Sequence, residues 1–431
     1  MKRNLACILL LAGLTTIGQS AEMRMWLSRK GGQLEAQLLN VQGDTVTLID
    51  KESRETRIKM EELSLSDRMH LVEVGGVDET VIGSGKAGLV EKEIKIDSTQ
   101  FKKQKEPMTF GDKMPKGFEI METPHFLIGT SGKVQGHSIA ETAERLWHGM
   151  AFQHVGFRQD WGDKHMLILL AEDREVFKAL GKWNANNIAT VMMHHGKDGQ
   201  DAAAEATATW DKVAANYMYL PDEMAAKDNI LKEALVFNVK ETNAKEASHE
   251  SARFRKVFDP FSTHVIAGHL LQITMGGGVS SFGSEGYYAI ETGHSFFKEI
   301  SLSGKSETSL ITVSGSSKDE FASKGGFADG SSWARTLRAL VRSGKVSPKL
   351  DSMFKWKTED LNPERLVVMY SFACYMETDT KRLAAFAKMI RRIDTSSQIP
   401  SQMEIAKLFG FDKVEAMEAD WIKFIKEGDF K

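Results

Sequence analysis

Phe258-Asp-Pro-Phe-Ser-Thr-His-Val-Ile-Ala-Gly-His-Leu-Leu-Gln-Ile-Thr and Phe282-Gly-Ser-Glu-Gly-Tyr-Tyr-Ala-Ile-Glu stand on either side of a break at Gly276, Gly277 and Gly278. The first stretch is apolar almost all round, which predicts a helix buried on every side. A second helix is predicted to open at Ser284-Glu285-Gly286. His264 and His269 are five residues apart. Residues four apart share a helix face, whereas five apart diverge by about 140°. Both imidazoles reach one point only if His264 precedes the helix, with Ser262 or Thr263 as its cap.

Around this core the chain has 431 residues, 42% of them hydrophobic and 27% charged. That is the composition of a globular protein with room for two or three domains. A net charge of -3 argues against nucleic acid, which needs a concentrated basic face. Lys2 and Arg3 precede the apolar run Leu5 to Leu14, and small or polar residues follow to Ser20-Ala21. Residues 1–21 therefore read as a cleavable signal peptide, and the expected location is secreted or periplasmic. The run is shorter than the roughly 20 residues a membrane span needs, and no span is expected elsewhere. Once the signal is removed Cys374 is the one thiol. It lies in an apolar helical run, where a small buried hydrophobe is the expected role.

Residues 22–74 read as a small β module. Leu34-Glu-Ala-Gln-Leu-Leu alternates like a half-buried strand, Gln42-Gly43-Asp44 turns, and Thr45-Val-Thr-Leu-Ile follows. Arg24, Trp26, Glu35, Ala36, Val46, Leu48, Leu63, Ser64 and Asp67 give this module its pattern. In that pattern it resembles the Sla-type homology domain, a small Src-homology-like barrel that binds short peptides in endocytic adaptors. The resemblance implies a peptide groove, with Trp26 and Arg24 as candidate peptide-binding residues; core packing is the competing role for Trp26. Residues 75–116, rich in Gly and Lys, read as a linker.

The main domain, residues 117–431, reads as α+β and mainly helical, with a small sheet. Two short strands lie in 118–129, a helix over 135–152, and a buried strand over 164–171. Helices are predicted over 222–236, 333–341, 365–376, 381–391, 405–410 and from Val414 onward. His194-His195 is read as a loop pair, since adjacent side chains point different ways.

In the order of its elements this domain resembles the gluzincin metallopeptidases, where a HExxH helix precedes a helix beginning Ser-Glu-Gly. With His269 as the second motif histidine, Val265 replaces the first and Ile266 stands where the catalytic Glu belongs. The resemblance implies His269, Glu285 and, by a bend, His264 as candidate metal ligands. No catalytic residue is assigned. A positioned base contributes about 100- to 10,000-fold in rate, and Ile266 cannot act as one. No cofactor is expected, with zinc the candidate if any binds. The leading reading is thus a protein- or peptide-binding adaptor with a degenerate metallopeptidase-like domain. Its alternatives are an active zinc peptidase with a divergent site and an envelope protein self-associating through the barrel.

Overall fold

The computed structural model describes residues 22–83, 85, 88–111, 114, 117–154, 157, 162–194, 204, 207–211, 213–241, 258–276, 284–306, 332–357 and 360–428. The architecture is mixed α/β with two sheets. The first sheet has the order β1 (Arg24–Leu27), β2 (Gln33–Gln42), β3 (Thr45–Asp50) and β4 (Glu55–Lys59), antiparallel throughout. A bridge from Ser28 to Leu63 carries the chain back to β1, and helix α1 (Leu65–Val74) follows. Alternation does the work here: Ala36 and Leu38 of β2 meet Val46 and Leu48 of β3 over Trp26. Ala384 and Ala387 share this same core, so the N-terminal sheet is docked on a helix far along the chain.

The second sheet contains β5 (Lys102–Lys103), β6 (Glu119–Glu122), β7 (Phe126–Thr130), β8 (His165–Ala171), β9 (Ala215–Tyr219) and β10 (Ile230–Asn238). Its order is β5-β6-β7-β8-β10-β9. The β7–β8 and β8–β10 pairs are parallel, and β9 runs antiparallel to β10. Helices α2 (His137–Gln153) and α3 (Arg174–His194) alternate with these strands, and α4 (Asp222–Lys227) leads into β10. Then come α5 (Pro260–Met275), α6 (Tyr287–Ser303), α7 (Trp333–Arg342), α8 (Leu350–Phe354), α9 (Pro363–Glu377), α10 (Thr380–Ser396), α11 (Gln402–Leu408) and α12 (Val414–Glu427). None is long and apolar enough to cross a membrane among the described residues.

Helix α5 is the centre of the larger unit and packs on α2, α6 and α10. Its start is set by Asp259, whose Oδ2 accepts from the Ser262 N–H at 2.8 Å, with Pro260 in the first turn. Gly276, at φ 79°, ends it. Removing the cap in Asp259→Ala should cost about 1 kcal/mol, read as a lower urea midpoint at unchanged slope.

Three expectations give way. His264 lies inside α5 rather than before it, because Asp259 and not Ser262 or Thr263 is the cap. The helix predicted over 222–236 stops at Lys227; residues 230–238 form the strand between β8 and β9. Residues 75–116 do not form a free linker. Val81, Ile82, Val90, Ile94, Met108 and Phe110 are all buried, and short 3₁₀ turns carry the chain between these anchors.

Candidate functional site

The residues proposed as metal ligands are placed apart. As the 140° argument requires, His264 and His269 leave α5 on different sides. His264 turns to α6, where its Nδ1 lies 3.0 Å from Glu299 Oε2 and its ring meets the Phe296 ring edge-on. His269 turns to the sheet, fully buried, with the Tyr217 ring of β9 stacked on it at 4.5 Å and 20°. Glu285 is exposed just before α6, where its charge is felt by Lys355. Among the described residues no group of three His, Cys, Asp or Glu side chains is arranged to hold a metal ion. His264, His269 and Glu285 therefore do not fit the zinc that the resemblance implies.

Gly286 gives the Ser-Glu-Gly element a purely structural reason. Its φ is 85°, and an added Cβ would lie 2.7 Å from the Phe354 ring, so only glycine suits the start of α6. Ile266, at the position of the missing base, is fully buried in the main core.

The surroundings of His269 are polar but closed. Its Nε2 is 3.9 Å from Glu233 Oε2, and neither ring nitrogen meets hydrogen-bond geometry with a described group. Burial pushes its pKa down to about 3, with the Gln272 amide only weakly opposing. The 3.9 Å separation alone would suggest an ion pair. Burial wins, because it also pushes the Glu233 carboxyl up, so that this group is neutral where the ring would charge. Burial, then the charge of Glu291, holds the Tyr217 phenol well above its ordinary range. Glu291 lies over Gly268, where a Cβ would fall 2.3 Å from its Oε1.

A second buried cluster, absent from the sequence reading, sits where α2, α6, α9 and the turn at Glu91 meet. Lys298 Nζ donates to Glu91 Oε1 and to Gln153 Oε1, each at 2.8 Å, and lies 3.7 Å from Glu377 Oε2. Glu377 Oε1 in turn meets His294 Nδ1 at 2.8 Å. His154 faces His294 with ring centroids 6.3 Å apart. All six side chains are buried. Burial opposes the charge on Lys298, but Glu91 and Glu377 outweigh it and hold the ammonium above its ordinary pKa. His154 is driven the other way, first by burial and then by His294 and Lys298. One signal was available in the sequence: Glu291, His294, Ser295 and Lys298 recur at helical spacing as a polar stripe on a helix that is otherwise rich in apolar residues.

In the N-terminal sheet Trp26 is 2% exposed, its Nε1 donating to the Ala36 carbonyl at 3.0 Å. It is a core residue and offers no exposed anchor for a peptide. Arg24 lies over its ring and pairs with buried Asp67 at 2.9 Å, so its guanidinium serves the sheet as well. Cys374 is buried and burial pushes its thiol up, as a core residue requires. Of the vicinal histidines, His194 closes α3 and His195 lies outside the described residues.

No protein-family model, no curated protein and no solved structure matches this chain.

Proposed function

We propose that this is a secreted or periplasmic protein- or peptide-binding protein, built from an Sla-type barrel and a gluzincin-like frame whose peptidase site is closed. The observation that carries the reading is the divergence of the two histidines, His264 toward Glu299 and fully buried His269 under the Tyr217 ring, with buried Ile266 at the general-base position. A zinc hydrolase needs three converging protein ligands and a group to take the proton of water; here His264 turns to Glu299 and His269 to the sheet, and an alkyl chain stands at the base position.

A place for an extended ligand runs alongside. Among the described residues β9 is an edge strand. The Leu220 and Asn238 amides bond across the β9–β10 ladder, which leaves the Tyr217 and Tyr219 amides facing outward. Side chains accept from both: Asn216 Oδ1 from the Tyr217 N–H and Asn184 Oδ1 from the Tyr219 N–H, each at 2.9 Å. A peptide adding as a further strand exchanges the local Asn216 bond for its own carbonyl. Tyr219, 47% exposed, supplies an aromatic contact at the rim.

The test joins two measurements on the purified chain. A peptide array should yield extended binders, and Tyr219→Asp should weaken them by about tenfold, the effect of about 1.4 kcal/mol. Metal analysis by mass spectrometry, without chelator, should give no stoichiometric zinc. Stoichiometric zinc lost in His269→Ala, together with peptide cleavage, would establish the peptidase instead. An array without binders would end the binding reading.

A further inference from the structure

The face of β9 and β10 that turns to α5 is both aromatic and acidic. Strand pairing sets Tyr219 opposite Glu233 and Tyr217 opposite Leu235, so these four side chains leave the sheet on one side. His269 lies against them, its Nε2 3.9 Å from Glu233 Oε2. Glu291 of α6 reaches the same place over Gly268, the neighbour of His269.

Neither carboxylate meets a cation among the described residues. Glu291 accepts from the Ser295 hydroxyl at 3.1 Å and from the Thr292 hydroxyl at 3.3 Å. Glu233 has the Tyr219 hydroxyl and the His269 ring, which burial keeps uncharged. Hydroxyls leave the negative charge unbalanced, and the Tyr217 phenol registers it. After burial, Glu291, Tyr287 and Glu233 raise its pKa, and no Lys or Arg of the described residues acts against them.

His269 adds an unanswered polar group from below. It is fully buried, and neither ring nitrogen is hydrogen-bonded among the described residues. A neutral imidazole keeps one acceptor nitrogen, so the group offers a further acceptor and no charge. The outer rim is open to solvent: the Glu233 side chain is 17% exposed, and Glu291, Tyr217 and Tyr287 are each partly exposed. Half-buried acids without a counter-charge are costly. Acids among tyrosine rings are what a guanidinium or ammonium group pairs with and stacks on.

A strand added to β9 carries every second side chain over this face. We propose, resting on the edge-strand reading above, that the peptide position beside Tyr217 on the α5 side takes an arginine or lysine side chain, its cation held by Glu233 and Glu291.

The probes are blocked seven-residue peptides of alternating threonine and valine, with arginine, lysine, glutamine or glutamate at the centre. Each is titrated against the whole chain by fluorescence anisotropy. The arginine and lysine peptides should bind about tenfold more tightly than the glutamine peptide, and the glutamate peptide most weakly. In Glu291→Gln that preference should disappear while the glutamine peptide keeps its affinity. Glu233→Gln should act alike, and it decides if Glu291→Gln does not fold. Loss of the preference in either variant supports the site. Equal binding of all four peptides by the unaltered chain overturns the cation site and leaves the edge-strand reading standing. So does a cationic preference that survives both variants, since it then belongs to acidic surface elsewhere. Binding of none of the four removes the edge-strand reading, and the cation site with it.

Discussion

Lys298→Met should destabilise the protein by about 3–5 kcal/mol and lower its melting temperature by about 3–6 °C. The methionine fits the space of the lysine stem and keeps its contacts, so the loss measures charge rather than a cavity. It strands Glu91 and Glu377, both buried, each with a second oxygen that already lacks a hydrogen-bond partner among the described residues. Gln153 Oε1 also loses its donor. The signature that separates this from ordinary repacking is recovery: adding Glu91→Gln to Lys298→Met should restore a substantial part of the loss, because a neutral amide is cheaper to bury than a carboxylate. Glu91→Gln alone should destabilise, since Lys298 then keeps only the more distant Glu377. A loss below about 1 kcal/mol in the first variant, in the range of exposed pairs, would show that water reaches the cluster.

Acid should destabilise the protein well before its exposed carboxylates titrate out. His269, at about 3, and His154, also well below its ordinary value, are both depressed in the folded state by burial. Below about pH 6.5 the unfolded chain therefore binds protons that the native state refuses. Stability is full above that pH and falls as pH drops toward 3, by about 1.4 kcal/mol per pH unit for His269, with His154 acting in the same direction. His269 alone removes about 2 kcal/mol between pH 6.5 and 4.5, a sizeable share of a typical domain's stability. Glu233, with its pKa raised by burial, acts in the opposite sense and offsets part of the loss near the lower end. Urea melts at half-unit pH steps check this, with His269→Leu as comparison: its acid limb should be shallower. An unchanged limb in that variant would mean that His269 charges readily in the native state.

Much of the frame was legible because its signals are local. Asn362-Pro363 starts α9, with Asn362 Oδ1 accepting from the Arg365 N–H at 2.9 Å, and the apolar run of β8 is buried along nearly its whole length. The predicted helices after residue 333 all appear, within a few residues of their expected ends. Strand β10 was not legible, since Leu231-Lys-Glu-Ala favours helix by itself; its place between β8 and β9 overrides that preference. The segment 75–116 looked solvent-borne because its Gly and Lys residues dominate its composition, yet a few widely spaced apolar side chains suffice to tie it down. At the candidate site the divergence of His264 and His269 followed from helix geometry alone. What closes His269 did not, because Tyr217 is 52 residues away on a strand with no periodic mark.

The pairing of Glu91 with Lys298 spans 207 residues, and that separation bears on how the chain is made. At about 5–20 residues per second, Glu91 leaves the ribosome roughly 10–40 s before its partner. For that interval the first third of the protein holds a carboxylate with no cation to meet it in the fold. The N-terminal sheet likewise waits for Ala384 and Ala387 to complete its core. Completion of the early segments is thereby tied to the arrival of the late ones, and the nascent chain keeps apolar surface uncovered until most of its length is present, an interval in which holding chaperones have something to bind.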